Sequence, residues 1–324
     1  MAAYLLGRFL SLCASLAVAS VVIFTVIEIV PGDPAAYMLG LNASEEAIAN
    51  LRADLGLDLP PGHPLEGSPL RHVARYLDWA GGMISGDFGT SYTYRVPVSE
   101  LVLDRVWVSL PLALMALLLS TALAVPLGLV AAANRGGLAD YGVIGLTQLG
   151  IAVPNFWFAM LLQLLFAVIL QWVPSGSFPG WQDPIGAVTS LLLPAIALAL
   201  PQAAILARVM RSALIETLDQ DFIRTARAKG LSRAQAVRRH GLRNAAIPAL
   251  TILGLQFSFL LAGAIIIERI FYLPGLGQLI FQGITQRDLI VVESVTMLLV
   301  FAVIVVTFLV DVTYAIADPR LRRS

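Results

Sequence analysis

Residues 212–248, SALIETLDQDFIRTARAKGLSRAQAVRRHGLRNAAIP, form the one long polar interruption in the hydrophobic second half of the chain. Nine arginines and lysines fall between Arg208 and Arg243. Fixed cations of this kind recognise anions and do not by themselves break bonds. They can meet lipid phosphates, at about 1 kcal/mol for each basic residue near an anionic surface, meet nucleic-acid phosphates, or flank a docking knob for a cytoplasmic partner. Bond-making chemistry asks for other groupings. The histidines His63, His72 and His240 are far apart and lie outside the apolar runs. No Cys-Cys or His-x-x-x-His pair has metal-ligand spacing. No G-x-x-x-x-G-K-[ST] loop occurs, so this chain is not expected to bind or hydrolyse ATP. Gly275-Leu276-Gly277 follows no strand and is no dinucleotide fingerprint. Catalytic, cofactor and metal sites are therefore not expected here.

The basic side chains need helices to hold them. Leu214, Leu218, Phe222 and Ala226 repeat every four positions and predict one apolar stripe along one helix. Asp219 and Asp221 fall early in it, and Arg227 and Lys229 fall in its last turn, as the helix dipole favours. Gly230 can take the left-handed conformation that ends a helix, with Leu231 packing back. Ser232 with Gln235 makes a capping box that starts a second helix. The segment reads as helix, sharp turn, helix.

Composition sets the surroundings. Of 324 residues, 58% are hydrophobic and 13% charged, against roughly 25% charged in soluble domains. Apolar runs at Phe9–Val30, Val106–Ala133, Tyr141–Trp172, Ala187–Met210, Ala249–Ile267 and Ile290–Ala317 predict six transmembrane helices in an all-α membrane protein. The first run exceeds the apolar core of a secretory leader and is expected to remain as a span. Cys13 is the single cysteine, so no internal disulfide can form. With a cytoplasmic N-terminus, 14 of the 21 basic residues fall on the cytoplasmic side, including residues 208–243. Both termini and the 212–248 loop are then cytoplasmic, and the acidic stretch 31–105 is outside.

That gives an N-terminal helix at 1–30, an external subdomain at 31–105, a five-helix core at 106–317 and a tail at 318–324. In the subdomain, Ser44 should cap a helix carrying Ile48, Leu51 and Leu55 and stopping at Gly56. Pro60, Pro61, Pro64 and Pro69 break up the stretch beyond that glycine. An amphipathic run Leu70–Ile84 then leads to the turn Gly86-Asp87-Phe88-Gly89. Pro111, Pro126, Pro154, Pro194 and Pro201 should kink their spans, as in transporters and in some static bundles. The acids Glu28, Glu268, Glu293 and Asp311 sit near span ends, where they can reach water or head groups. Asn155, Gln163 and Gln256 are polar within apolar spans, suited to helix–helix hydrogen bonds or to a translocation path.

Physics alone leaves the loop two open roles, a lipid-facing cationic surface and a docking knob for a cytoplasmic partner. A nucleic-acid role is disfavoured, because a segment pinned between two spans has no third helix for a DNA-binding core. Here a resemblance enters. Arg224-Thr225-Ala226-Arg227-Ala228-Lys229-Gly230 resembles the Glu-Ala-Ala-x-x-x-Gly signature of ABC-importer permeases. The longer run DFIRTARAKGLSRAQAVRRHGLRNAAIPALT is similar to the dipeptide, oligopeptide and nickel branch. Arg224 and Thr225 stand where the general motif has Glu and Ala, departures that look typical of that branch. Pro31-Gly32-Asp33-Pro34, Gly86-Asp87-Phe88-Gly89, Pro97-Val98, Leu273-Pro274-Gly275-Leu276-Gly277, Arg287-Asp288 and Asp318-Pro319-Arg320 extend the resemblance along the chain.

The resemblance implies the type I ABC importer permease fold in a bacterial inner membrane. It also implies a second permease subunit, two cytoplasmic ATPase subunits that bind ATP and magnesium, and an extracytoplasmic substrate-binding protein. Asp221, Phe222, Arg224, Thr225, Ala226, Arg227 and Gly230 would form the coupling helix that docks on an ATPase. The solute would be a di- or oligopeptide or a related small molecule. Rival readings are a secondary transporter driven by an ion gradient and a membrane scaffold that recruits a cytoplasmic protein.

Overall fold

The computed structural model describes residues 2–29, 33–40, 43–55, 70–173, 176, 178–236 and 241–317. Gly56, the four prolines of 60–69, Pro31-Gly32, His63, His240 and the tail from Asp318 lie outside them. The described residues are helical apart from turns and one isolated antiparallel bridge, Thr90 to Pro97. In chain order the helices are α1 (Ala2–Ile29), α2 (Pro34–Leu39), α3 (Glu45–Asp54), α4 (Leu70–Ser85) and α5 (Val98–Ala133). Next come α6 (Leu138–Ala152) and α7 (Asn155–Leu162), which runs on as a π-helical stretch, Gln163–Ile169. The remainder are α8 (Pro184–Leu218), α9 (Asp221–Ala228), α10 (Arg233–Ala236), α11 (Leu242–Ile270), α12 (Leu276–Thr285) and α13 (Leu289–Ala317).

Five helices are long and apolar enough to cross a bilayer: α1, α5, α8, α11 and α13. The third expected span, Tyr141–Trp172, is not one helix. It breaks at Val153-Pro154, where α6 and α7 meet at 93°, giving a sixth span only if the bent pair crosses as one. The cause is local. Proline drives the residue before it out of the α region, and Val153 is extended at ψ 122°. The other four prolines lie inside the continuous helices α5 and α8.

The chain divides into two compact units. The first comprises Met1–Leu10, Ser109–Leu273 and Val305–Ser324. At its centre α8 packs on α11, α6 and α7. Small residues, among them Ala195, Ala199, Ala203 and Ala207, are buried there and allow close approach. Gly128 of α5 shows how close: a Cβ on it would lie 2.6 Å from the Met210 Cβ and 3.1 Å from the Ala207 carbonyl oxygen. Ala124, Ala132, Leu206, Met210, Leu214 and Ala249 complete a core shared by α5, α8 and α11.

The second unit comprises Ser11–Val108 and Pro274–Ile304. Asp33 caps α2 through the Ala35 N–H at 3.0 Å. Ser44 caps α3 through the Ala47 N–H at 3.2 Å, as its position predicts, and Ile48, Leu51 and Leu55 are half-buried on that helix. α4 lies on α1 through Phe24, Tyr76 and Trp79, whose rings cluster. Glu28 accepts from Arg75 at 2.8 Å and lies 3.0 Å from the His72 Nδ1. Asp288, fully buried, accepts from the Ser91 hydroxyl and from the backbone N–H groups of Tyr92 and Thr93 at 3.1 and 3.0 Å. The Ser294 hydroxyl donates to the Phe88 carbonyl at 2.8 Å. These bonds tie the turn at 88–98 to the corner between α12 and α13.

Candidate functional site

The loop between α8 and α11 departs from the single stripe expected of it. α8 ends at Leu218, Asp219 closes its last turn, and Gln220 is extended at ψ 149°. Leu214 and Leu218 therefore belong to α8, while Phe222 and Ala226 belong to α9. Side chains that share a period of four do not share a face across a break, because the extended residue resets the helical phase. Within α9 the buried pair is Ile223 and Ala226, and Phe222 is 43% exposed. Asp219 is correspondingly not early in a helix but at a C-terminus, where Arg135 approaches it at 3.6 Å.

The resulting knob is well specified. Asp221 opens α9 and Arg227 closes it, matching the helix dipole. The Gly230 N–H donates to the Arg227 carbonyl at 3.0 Å, and the Leu231 N–H donates to the Ala226 carbonyl at 3.3 Å. Those are the two bonds of a Schellman turn. Gly230 has φ +94°, in the region that favours glycine. Ser232 and Gln235 then cap α10 reciprocally, the Ser232 N–H to the Gln235 Oε1 at 2.9 Å and the Gln235 N–H to the Ser232 Oγ at 3.3 Å. The knob thus turns Phe222, Arg224, Thr225, Arg227 and Lys229 outward while Ile223 and Ala226 anchor it. The Arg224–Asp221 pair, at 3.2 Å with both side chains mostly exposed, adds a few tenths of a kcal/mol (~0.3) and leaves the guanidinium accessible.

A buried ion pair stands behind the knob, unforeseen in the sequence. Asp140, at the start of α6, is 1% exposed. It accepts from Arg211 Nε at 2.6 Å and Nη2 at 2.7 Å, and from the Gly136 N–H at 2.9 Å. The fork geometry fixes α6 to the last turns of α8, the stem from which α9 hangs. An aspartate opening an apolar run was the available signal, but its partner is 71 residues away.

The other expected residues scatter. Asn155 opens α7 and its side chain accepts from the Phe156 N–H at 2.8 Å. Gln163, half-buried, opens the π-helical stretch. Gln256, 2% exposed, donates to the Gln202 carbonyl at 2.7 Å and so bonds α11 to α8. None of the three bonds to another. Of the acids expected at water, Glu28 and Asp311 hold ion pairs, Asp311 with Arg8 at 3.2 Å. Glu268 and Glu293 are instead enclosed, at 0% and 8% exposure, Glu268 accepting from the Ser109 hydroxyl.

Comparison with known proteins covers nearly all of the chain. Residues 124–323 match the family described as binding-protein-dependent transport system inner membrane component. Residues 1–113 match the corresponding N-terminal membrane-component family. A protein named as a peptide transport system permease in Brucella abortus is 39% identical over 323 residues, 99% of either chain. The glutathione transport system permease protein GsiC of Salmonella typhimurium is 36% identical over 319 residues, 98% of either chain. A chain of the MetNI methionine ABC transporter, solved in inward-facing conformations, superposes with TM-score 0.57 at 20% identity. That match covers 67% of this chain and 96% of the other.

Proposed function

Since the chain belongs to the family of binding-protein-dependent transport system inner membrane components, and is thus a permease subunit of an ABC importer, we propose that it takes up peptides by ATP-driven alternating access. Two cytoplasmic ATPase subunits, which bind ATP and magnesium, dock on the loop between α8 and α11. A second, related permease completes the pathway, and an extracytoplasmic binding protein delivers the solute to the 31–105 side. The observation that carries this reading is the shape of α9 and its turn. A helix with two buried anchors, an exposed Phe222, outward cations and a doubly bonded glycine turn is a rigid shape that a groove can read. A lipid-facing tether would need charge but no such caps.

The mechanism follows from rigidity. When the ATPases close, contacts to Phe222, Arg224, Thr225, Arg227 and Gly230 carry α9 with them, Ala226 holds the helix from its buried face rather than meeting the partner, and Asp221 keeps its first turn formed. The Asp140–Arg211 fork passes that displacement to α6 as well as α8. Coupling of this kind requires the knob to meet the ATPases differently in the two states. The peptide class rests on the names of relatives, one for peptides and one for glutathione, itself a tripeptide. The decisive experiment is uptake of a labelled tripeptide by cells with the complete importer, compared with cells carrying Gly230→Pro. Proline cannot adopt φ +94° and lacks the N–H that bonds Arg227. Membrane insertion should persist while uptake falls to background; undiminished uptake would overturn the docking role.

A further inference from the structure

α8 carries Arg208, Ser212 and Glu216 at four-residue steps, which places them on one helix face. All three are exposed. With Ile151 of α6, Ile205 of α8 and Pro248 of α11 they line a cavity of about 460 Å³. Among the described residues the side chains of Arg208 and Glu216 make no hydrogen bond or ion pair. The same helix holds Arg211 in a tight carboxylate fork on another face, so unpartnered charge is confined to the cavity side.

The charges have an order. Arg208 is nearer the apolar part of α8, Ser212 is in the middle, and Glu216 stands two residues from the helix end. Eight residues of helix put the two charges about 12 Å apart along the axis, the length of an extended chain of roughly three to four residues. A guanidinium matches a carboxylate in two-pronged fashion, and a glutamate matches an ammonium. Between them the hydroxyl of Ser212 can donate to or accept from a peptide group. Lipid phosphates would account for the arginine alone, but a glutamate on the same face repels them.

We propose that this face of α8 is the cytoplasmic end of the solute path and holds a short zwitterionic peptide by its two ends, carboxylate at Arg208 and ammonium at Glu216. The proposal rests on the peptide-importer reading above. It adds a solute site within this subunit, distinct from the binding protein that captures peptide outside. It also gives a direction to the exit, since the two charges accept the peptide in one orientation.

The test uses the complete importer in membrane vesicles of both orientations, with Cys13→Ala and Val209→Cys in this subunit, Val209 being a further lining residue of the cavity. A membrane-impermeant maleimide should label V209C from the cytoplasmic face. Tri-alanine should slow that labelling about threefold when present at about twice its dissociation constant. Arg208→Ala and Glu216→Ala should each remove the protection, and N-acetylated, C-amidated tri-alanine should give none. Absence of labelling from either face, protection that survives both alanine variants, or equal protection by the blocked peptide would overturn the proposal. Uptake of tri-alanine by cells with the unaltered importer separates the two readings. Uptake without protection defeats this site alone, whereas absence of uptake defeats the peptide class and the site with it.

Discussion

Gly230 and the Asp140–Arg211 pair illustrate two kinds of residue that matter to the loop. At Gly230 there is room for a side chain, since nothing lies within 4 Å of an added Cβ, yet φ is +94°. Gly230→Ala should therefore cost about 1–2 kcal/mol of backbone strain and weaken uptake only partly, unlike proline; graded uptake across the series Gly, Ala, Pro checks this. Arg211→Ala leaves a buried carboxylate without its fork. It should destabilise the purified subunit by about 3 kcal/mol, read as a lowered thermal-unfolding midpoint in detergent. Reversing Arg224 and Arg227 to Glu should reduce ATPase recovery in co-purification without lowering that midpoint, because both side chains face outward. Equal recovery would assign those cations to lipid. The glycine turn and the Ser232–Gln235 box were legible in the sequence because each closes within six residues. The Asp140–Arg211 fork was not, because it spans 71 residues and periodicity says nothing about which helix meets which.

At the scale of elements the pattern of apolar runs located the spans, and Pro154 marked where one of them bends, but nothing in the pattern marked the break at Gln220. Hydrophobic period reports which side of a segment is apolar, not whether the axis runs straight. Tyr141–Trp172 is apolar throughout and still bends by 93° at Pro154. The stripe from Leu214 to Ala226 keeps its spacing through the extended Gln220. In both places one backbone angle overrides the composition. α12, buried through Leu276, Leu279 and Ile280, escapes the pattern because Gly275 and Gly277 at its start carry the signature of a turn. Gly128 offers an element-scale test. Even Gly128→Ala sets a Cβ 2.6 Å from Met210, so α5 and α8 must part. About 1–3 kcal/mol of overpacking is expected, with reduced folded yield in detergent as the measurement.

For the whole molecule, the orientation proposed from the basic residues can be examined across one unbroken helix. Trp181 precedes α8 and Lys229 follows it, both within the first unit. In a Cys13→Ala background, Trp181→Cys should react with an impermeant maleimide only from outside, and Lys229→Cys only from the cytoplasm. The reverse pattern would invert the orientation. The class of the protein was legible from composition and the order of motifs. Its division into two units was not, because the second unit joins residues 11–108 with 274–304, and that pairing rests on contacts such as Ser91 to Asp288.

The continuity of α8 has a mechanical corollary. A helix of 35 residues, with Pro194 and Pro201 inside it, has a contour of about 52 Å at 1.5 Å per residue, beyond the hydrocarbon thickness of roughly 30 Å. It is a long shaft whose end leads through the extended Gln220 into α9. Pivoted near one end, such a shaft converts a tilt of about 5° into a displacement of about 4–5 Å at the other. With ATPases acting on α9 as proposed above, a few ångströms of travel there would correspond to a fine angular adjustment of α8. Shortening the shaft by one turn between Met210 and Leu218 would shorten that arm and rotate α9 about the axis of α8.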